Sequence, residues 1–219
     1  GGARQFAEAV AAEPGLAAHV GEIIALDTDE RLFAPMAGVV GDAERLPFAE
    51  ARFGLIVSLL TLHWANDLPG ALIQIRRALK PDGLFLGSFF GGRTLQELRE
   101  SLLIAESEIS GGVSPRVAPF ADTFDGAQLL QRAGFALPVS DVDTVTLRYA
   151  HPLRLLADLR AMGETSALRA GSKPLTRALI ARMIEIYQQR FCDPDGRIRA
   201  TFEILTLTGW APHESQQQP

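Results

Sequence analysis

The sequence contains one cysteine, Cys192, in 219 residues, which excludes an internal disulfide framework and fits a reducing compartment. It also lacks an excess of positive charge: the formal net charge is -5, so a general nucleic-acid surface is not indicated. No apolar run approaches the length of a membrane span, so we expect no stable membrane insertion. What is present, 47% apolar and 21% charged residues, is typical of a globular protein.

Signatures of several enzyme classes are also missing. The four histidines, at positions 19, 63, 151 and 213, do not show the H-x-D/E spacing of a non-haem iron site. Neither a G-x-S-x-G elbow nor a G-x-x-x-x-G-K phosphate loop is found. We therefore expect no metal site, no nucleophilic serine of the hydrolase kind and no P-loop.

Short apolar segments that alternate with helical patterns dominate the first half. Residues 22–27 and 39–42 each read as a short buried strand that ends in an aspartate. Residues 53–58 form a third apolar run, whose β-branched composition suits a strand of a parallel sheet, and residues 84–90 form a fourth. This alternation predicts an α/β fold with a doubly wound, mostly parallel sheet.

Helices are predicted between these strands. One covers residues 5–12, and another covers 68–79 with Asn66 or Asp67 as its N-cap. Asp29 is predicted to cap a short helix, and the Lys-Pro-Asp-Gly sequence at 80–83 predicts a turn before the fourth strand.

The second half has a more helical pattern. A helix over 94–109 is predicted, with Thr94 as N-cap and Glu97 completing a capping box. Another starts at Asp122 or Thr123 and ends before Gly134. Further predicted elements are a strand or hairpin over 139–149, helices over 152–162 and 175–191, and a last strand over 200–210. We expect one domain over 1–219, with residues 151–198 as a helical insertion before the last strand.

Two carboxylates end predicted strands, where ligands of open α/β sheets bind. Asp27 is placed to accept hydrogen bonds from ribose hydroxyls, and Asp42 from an adenine amino group, with the Ala43 backbone N–H beside it. The alternative for each aspartate is a turn or cap residue, which is common for this residue type.

These residues resemble a known family. The segments GDAERLPF, FGLIVSLLTLHWANDL and LKPDGLFLGSFFG resemble class I S-adenosylmethionine-dependent methyltransferases of the type 11 group. LHWANDLPGAL, LLQRAGF and the terminal GWAPHESQ are similar to the complex I assembly factor 5 family and its alphaproteobacterial relatives. A biotin-pathway malonyl-carrier-protein methyltransferase is a more distant relative. The resemblance implies a Rossmann-like fold with an antiparallel C-terminal strand, and S-adenosylmethionine as cofactor.

The resemblance also implies a cofactor site formed by Gly2, Asp27, Asp42, Ala43 and Leu59, the last through its backbone. Such proteins carry a glycine-rich loop after their first strand, whereas only Gly1 and Gly2 stand at the corresponding place here. We therefore expect that a first strand, and the loop that follows it, precede Gly1.

Candidate residues for the chemistry follow the third predicted strand. His63 is a candidate general base and Trp64 a candidate wall beside the sulfonium, to which an indole ring is attracted. The alternative for both is packing or capping. Arg93 is a candidate contact for an anionic substrate and Glu97 for a cationic one, against the alternative that both are solvated surface residues.

Three functions remain open on the sequence alone. The first is methyl transfer to a small molecule or a protein side chain, in which holding the acceptor near the methyl group supplies much of the acceleration. The second, implied by the resemblance, is arginine hydroxylation of a respiratory complex I subunit. The third is a non-catalytic binding protein that has lost its cofactor site. The expected location is the cytoplasm of a bacterium, or the mitochondrial matrix of a eukaryote.

Overall fold

The computed structural model describes residues 2–33, 36–112, 116–117, 125–163 and 175–216. Its helices are α1 (Gly2–Ala12), α2 (Pro14–Ala17), α3 (Leu68–Ala78), α4 (Gln96–Ser110), α5 (Asp125–Arg132), α6 (Pro152–Met162) and α7 (Arg177–Phe191), with short 3-10 helices at Glu30–Leu32 and Leu62–Trp64. Its strands are β1 (Ala25–Asp27), β2 (Gly38–Val40), β3 (Phe53–Leu59), β4 (Leu79–Phe90), β5 (Ala136–Tyr149) and β6 (Ile198–Trp210). No helix in these ranges has the length and apolar character needed to cross a membrane.

The strand pairing confirms the predicted α/β class. β1 pairs in parallel with β2, and β3 pairs in parallel with β4. In the described part of the chain the strands form two sheets, β1–β2 and β3–β4–β6–β5 in spatial order. The Gly91 amide donates to the Glu203 carbonyl, and the Ala211 amide donates to the Gly83 carbonyl. Residue numbers therefore decrease along β6 as they increase along β4, so the two strands run antiparallel.

The chain divides into two compact units. The first comprises residues 1–89, 122–142 and 205–219. Its core contains the apolar face of α3 and the fully buried Phe85 of β4, whose ring lies 5.6 Å from that of Phe135. Leu205 and Leu207 of β6 are also fully buried. Aromatic and branched side chains of both strands therefore form the centre of this unit.

The second unit comprises residues 90–121 and 143–204. Its main contact is between α4 and α7, which pack their apolar faces together. Tyr187 of α7 is fully buried, and its hydroxyl donates a hydrogen bond of 2.8 Å to the Arg199 carbonyl. Burial raises the pKa of this phenol far above its ordinary value. Tyr187 is therefore a neutral hydrogen-bond donor that ties α7 to the start of β6.

The turn predicted at residues 80–83 is part of an irregular beginning of β4. The strand starts at Leu79, beside Phe53 of β3, rather than at Leu84. Asp82 has a left-handed φ of 64°, and its amide donates to the Ala211 carbonyl at 3.1 Å. Pairing with β6 thus holds a turn-like sequence in the sheet, so the predicted strand boundary was wrong.

The capping box predicted for α4 was wrong. The N-cap is Leu95, with a φ of 55° and no side-chain cap, and the helix begins at Gln96. The Thr94 hydroxyl donates to the Glu203 carbonyl and accepts from the Glu203 amide, both at 3.0 Å. The Glu97 carboxylate is bound by Thr201. Both side chains join the start of α4 to β6 and are therefore not available for the first turn of the helix.

Two of the other predicted caps are present in the structure. The carboxylate of Asp67 accepts the Gly70 amide at 2.9 Å, so Asp67 rather than Asn66 caps α3. Asp29 caps its 3-10 helix as predicted. The predicted N-caps at 122 and 123 lie outside the described residues.

Candidate functional site

A cavity of about 730 Å³ lies in the first unit, at the edges of two strands. Its walls include residues 19–27, which lead into and form β1, and residues 52–59, which lead into and form β3. The start of α1 and the beginning of the second 3-10 helix complete it, through Gly2, Thr61 and Leu62. Four of the five residues predicted to bind a cofactor, Gly2, Asp27, Ala43 and Leu59, line this one cavity.

Gly2 brings the first turn of α1 close to the end of β3. A Cβ atom on Gly2 would lie 3.3 Å from the Leu59 Cβ, which is tighter than ordinary contact between such atoms. Leu59 itself is 40% exposed, and its carbonyl accepts a hydrogen bond of 3.0 Å from the Thr61 hydroxyl. The absent side chain at position 2 thus keeps this end of the cavity open.

Asp27 is the last residue of β1 and is half-buried. Its Oδ1 atom accepts the Asp29 amide at 3.1 Å, which fixes the carboxylate at the strand end. Its Oδ2 atom makes no hydrogen bond to the rest of the described chain. The carboxylate therefore keeps an acceptor atom for a ligand hydroxyl.

Asp42 follows β2, which ends at Val40, two residues earlier than the predicted strand. Its carboxylate accepts the Glu44 amide at 2.9 Å, so it forms a local turn. Asp42 does not line the cavity, whereas its neighbour Ala43 does. The structure thus fits the turn interpretation of Asp42, and it leaves the Ala43 backbone as the contact from this loop.

The segment after β3 turns sharply. Leu60 has a left-handed φ of 50°, which is uncommon for a branched residue and marks local backbone strain. The rings of His63 and Trp64 have centroids 5.3 Å apart, and the Trp64 side chain is 39% exposed. Neither residue lines the cavity itself, although Thr61 and Leu62, just before them, do. The predicted pair therefore directly follows two lining residues in the sequence but is not itself part of the lining.

Arg93 and Glu97, the predicted substrate residues, belong to the second unit. They line a separate cavity of about 470 Å³ together with Glu100, Arg199 and Thr201. Glu97 is only 5% exposed. Its Oε2 accepts the Thr201 amide at 3.0 Å, and its Oε1 accepts the Thr201 hydroxyl at 2.5 Å. These contacts make Glu97 a structural link, whereas Arg93 is an exposed cation on the rim of this cavity.

Sequence analysis did not single out Thr61, Leu62 or residues 19–24 as parts of a site. Residues 19–24 precede β1 and carry a short apolar run, Ile23–Ile24, that reads as strand interior. The threonine and leucine read as packing residues of a loop. Thr61, Leu62 and residues 19–24 line the cavity only because the fold places them beside β1 and β3.

Comparisons with known proteins show which family this chain belongs to. Residues 6–87 match a family model described as a methyltransferase domain. The chain is 40% identical over 217 residues to the mitochondrial arginine-hydroxylase NDUFAF5 of Danio rerio, with 92% of this chain and 68% of the relative covered. The chain belongs to the NDUFAF5 arginine-hydroxylase family. It is 43% identical over 195 residues to the Homo sapiens member, of which it spans just over half, 56%.

Members of a second group are also similar. The malonyl-[acyl-carrier protein] O-methyltransferase of Halorhodospira halophila is 36% identical over 173 residues, which cover 78% of this chain and 57% of the relative. Among solved structures, a methyltransferase structure from Bacillus halodurans has a TM-score of 0.57 at 20% identity, covering 90% of this chain and 86% of its own. At this identity the likeness shows the fold alone, which is the Rossmann-like α/β fold of methyltransferases.

S-adenosylmethionine is the cofactor of this domain family. The cavity fits its adenosine part, because an aspartate with a free oxygen stands at the end of β1 and a backbone segment at Ala43 stands after β2. A carboxylate at such a strand end is the group that binds ribose hydroxyls in nucleotide-binding α/β folds. The residues present are thus compatible with the cofactor.

Proposed function

We propose that this chain is an S-adenosylmethionine-binding enzyme that modifies an arginine side chain of a protein by hydroxylation. The observation that carries the proposal is the cavity at the end of β1, with Asp27 on its wall, in a chain 40–43% identical to arginine-hydroxylases. A protein acceptor fits the sequence resemblance to assembly factors of respiratory complex I. We place the activity where that complex is assembled, the mitochondrial matrix or its bacterial counterpart.

In this proposal Asp27 binds the ribose hydroxyls through its unused oxygen. The Ala43 backbone contacts the adenine, while Asp42 keeps the loop in its turn. Leu59 and Gly2 contact the remainder of the cofactor where α1 approaches β3. S-adenosylmethionine supplies a sulfonium-activated methyl group in transfer reactions, and the chain's own residues supply binding and orientation.

The acceptor side is assigned to the segment after β3. His63 is the candidate base for an acceptor that must lose a proton, and Trp64 is the candidate apolar wall. Arg93, in the cavity of the second unit, stays a candidate contact for an anionic substrate. Glu97 is buried, and both of its carboxylate oxygens are hydrogen-bonded to Thr201, so we assign it to holding the start of α4 against β6, four residues after Arg93, rather than to contacting the acceptor.

Methyl transfer is the second candidate, and a separate observation favours it. The chain is 36% identical to a malonyl-[acyl-carrier protein] O-methyltransferase over most of its length. Methyl transfer from a sulfonium is an in-line displacement, so a cavity that orients cofactor and acceptor is sufficient for much of the rate. The two candidates share the cofactor site and differ in the product.

Cofactor binding is tested by calorimetric titration of S-adenosylmethionine into the chain and into Asp27→Asn. A hydrogen bond to a charged group contributes about 1.5–3 kcal/mol, so we expect Kd to rise about 10- to 150-fold. Glu30→Gln, an exposed carboxylate three residues away, is the matched control and should leave Kd unchanged. No heat with the unsubstituted chain would refute the proposal and favour a non-catalytic binding protein.

The reaction is tested by mass spectrometry of a complex I subunit fragment incubated in air with enzyme, S-adenosylmethionine and an added two-electron reductant. Hydroxylation inserts one oxygen atom of O₂ into a C–H bond of an arginine, and the other oxygen atom leaves as water with two electrons from the reductant, whereas methyl transfer replaces a hydrogen by a methyl group and so adds one CH₂ group. Gain of oxygen supports the first candidate, and gain of CH₂ supports the second. An unmodified fragment, in the presence of demonstrated cofactor binding, would contradict both for this acceptor.

A further inference from the structure

The loop after β2 and the segment after β3 are joined by hydrogen bonds between residues far apart in the sequence. The Asn66 backbone amide and the Asn66 side-chain Nδ2 both donate to Oε1 of Glu44, the second at 3.1 Å. Glu44 directly follows Ala43, whose backbone is the proposed cofactor contact. Asn66 comes two residues after Trp64, in the segment proposed to face the acceptor. One carboxylate thus connects the cofactor side and the acceptor side of the proposed site.

The turn after β2 determines the position of Glu44. The Asp42 carboxylate accepts the Glu44 amide at 2.9 Å, and the Asp42 carbonyl accepts the Arg45 amide at 3.0 Å. Together these bonds close a turn of the kind that favours aspartate at its first position. Asp42 therefore acts on the site through this turn, because it fixes the backbone of the residue whose side chain reaches Asn66.

A second connection holds the same loop against α3. Oε1 of Gln74 accepts the Leu46 amide at 3.0 Å, and Nε2 of Gln74 donates to the Glu44 carbonyl at 2.6 Å. Gln74 lies inside α3, whereas Asn66 lies just before the N-cap of that helix. The Gln74 bonds thus fix the loop to the helix, and the Glu44 carboxylate extends the connection to the segment that precedes the helix.

The location of the Glu44–Asn66 link indicates a local effect. Glu44 is half-buried and Asn66 is exposed, so both groups remain in contact with water without the link. Its loss would leave neither group buried and unsatisfied, which is the costly case for the fold. What the link restricts is the motion of the loop and the segment relative to each other. A ligand binds more weakly when its binding-competent conformation is less populated, so this restriction bears on affinity.

We propose that Glu44 is a positioning residue that couples binding of S-adenosylmethionine to the conformation of the segment after β3. It keeps the Ala43 backbone within reach of the adenine and, through Asn66, holds the segment that carries His63 and Trp64. Cofactor binding therefore orders this segment, and by linkage an acceptor bound there strengthens cofactor binding. The proposal rests on the proposed contact between the Ala43 backbone and the adenine.

The test uses Asn66→Asp, Glu44→Gln and the variant that carries both substitutions. Asn66→Asp places two carboxylates at hydrogen-bond distance, where they repel each other. A negative charge ahead of α3 favours the helix itself, so the substitution is directed at the link and not at the helix. Glu44→Gln retains the Oε1 acceptor. In the double variant the new amide can donate to the new carboxylate, which restores a hydrogen bond between the two side chains.

Calorimetric titration of S-adenosylmethionine measures the coupling. We expect Asn66→Asp to raise Kd about 3- to 10-fold, Glu44→Gln alone to leave Kd within about twofold, and the double variant to return to within about twofold of the unsubstituted chain. The matched control combines Asn66→Asp with Glu50→Gln, which removes an exposed carboxylate six residues after Glu44. It changes the net charge equally and should leave Kd raised.

Ordering of the segment is measured by amide hydrogen exchange at saturating S-adenosylmethionine. The Trp64 amide donates to the Thr61 carbonyl and the Ala65 amide to the Leu62 carbonyl, both at 3.1 Å, so their exchange reports opening of this short helix. We expect the cofactor to slow exchange of both amides about threefold or more in the unsubstituted chain and in the double variant. In Asn66→Asp, also saturated with cofactor, the slowing should be lost.

Several results would overturn the positioning role. They are an unchanged Kd in Asn66→Asp, a double variant as weak as Asn66→Asp, equal rescue by Glu50→Gln, and equal slowing of exchange in Asn66→Asp. A lower Tm of Asn66→Asp with unchanged Kd and unchanged slowing would assign Glu44 to the fold alone. No heat with the unsubstituted chain would overturn the proposed function and this proposal with it, whereas cofactor binding without the coupling would overturn this proposal only.

Discussion

Glu97 provides a direct test of whether a residue near a cavity serves the ligand or the fold. It lies in the first turn of α4 and lines the 470 Å³ cavity, which makes it a candidate substrate contact. It is also 5% exposed and accepts two hydrogen bonds from Thr201 of β6, at 3.0 and 2.5 Å. The structure therefore predicts that Glu97→Ala mainly destabilises the protein.

The expected magnitude follows from these two bonds. Glu97→Ala leaves the Thr201 amide and hydroxyl buried without partners, at about 1–3 kcal/mol each, or about 4 kcal/mol together. For a chain of this size, 1 kcal/mol lowers Tm by about 2–4 °C, so we expect a fall of about 8–16 °C. Glu97→Gln retains an acceptor for the amide and a donor for the hydroxyl oxygen. It loses only the charge, and we expect a fall of about 2–4 °C.

The assay is thermal unfolding followed by circular dichroism, with Glu100→Ala as the matched control. Glu100 is on the same helix and lines the same cavity, but it pairs with the exposed Arg190. An exposed pair contributes at most about 1 kcal/mol, so the Tm of Glu100→Ala should change little. If Glu97→Ala unfolds at the same temperature as the unsubstituted chain but no longer binds its acceptor, our structural assignment of Glu97 is refuted.

Three further predictions concern other parts of the chain. Hydrogen bonds from Arg31 lower the pKa of the Asp29 carboxyl to about 2. The stabilisation from this pair is therefore fully present above the unfolded pKa of 3.8 and is lost as the pH falls towards 2. An NMR titration of this carboxyl with a midpoint near 3.8 would contradict the prediction. Phe85→Ala, at a fully buried ring, should reduce the free energy of unfolding by about 3–5 kcal/mol, whereas Leu16→Ala, at a side chain 56% exposed, should change it by less than about 0.5 kcal/mol in the same denaturant titration. If His63 is the base, His63→Ala should lower kcat by about 10²- to 10⁴-fold with the Kd for S-adenosylmethionine unchanged, and an unchanged kcat would assign His63 to packing.

Most helices and strands could be predicted from local pattern because their sequences carry strong periodicity and clear end signals. The helix predicted over 152–162 is observed as Pro152–Met162, which starts with a proline and ends at Gly163 with a φ of 82°. The cap of α3 was predicted only as one of two residues, Asn66 or Asp67. The choice between them depended on Glu44, whose side chain holds Asn66 from 22 positions away in the sequence.

The predictions that were wrong share a physical cause. Thr94 and Glu97 have the spacing of a capping box, and that local signal is real, but β6 offers both side chains buried partners more than 100 positions away. Likewise, Lys-Pro-Asp-Gly is a sequence typical of turns, but the Asp82 amide donates a hydrogen bond to the Ala211 carbonyl and this segment becomes part of the sheet. In each case a hydrogen bond to a residue far away in the sequence replaced the predicted local one.

For the candidate site, the sequence by itself determined which residue types stand at strand ends: Asp27 at the end of β1, Ala43 after β2 and Leu59 at the end of β3. Their spacing along the chain is sufficient for this, because parallel strands place their carboxyl ends at one side of the sheet. Only the tertiary structure decided that these residues share one cavity, that Asp42 serves a turn and that Glu97 is buried in contact with Thr201. Those outcomes depend on contacts between residues that are far apart in the sequence, and such contacts cannot be inferred from local residue patterns.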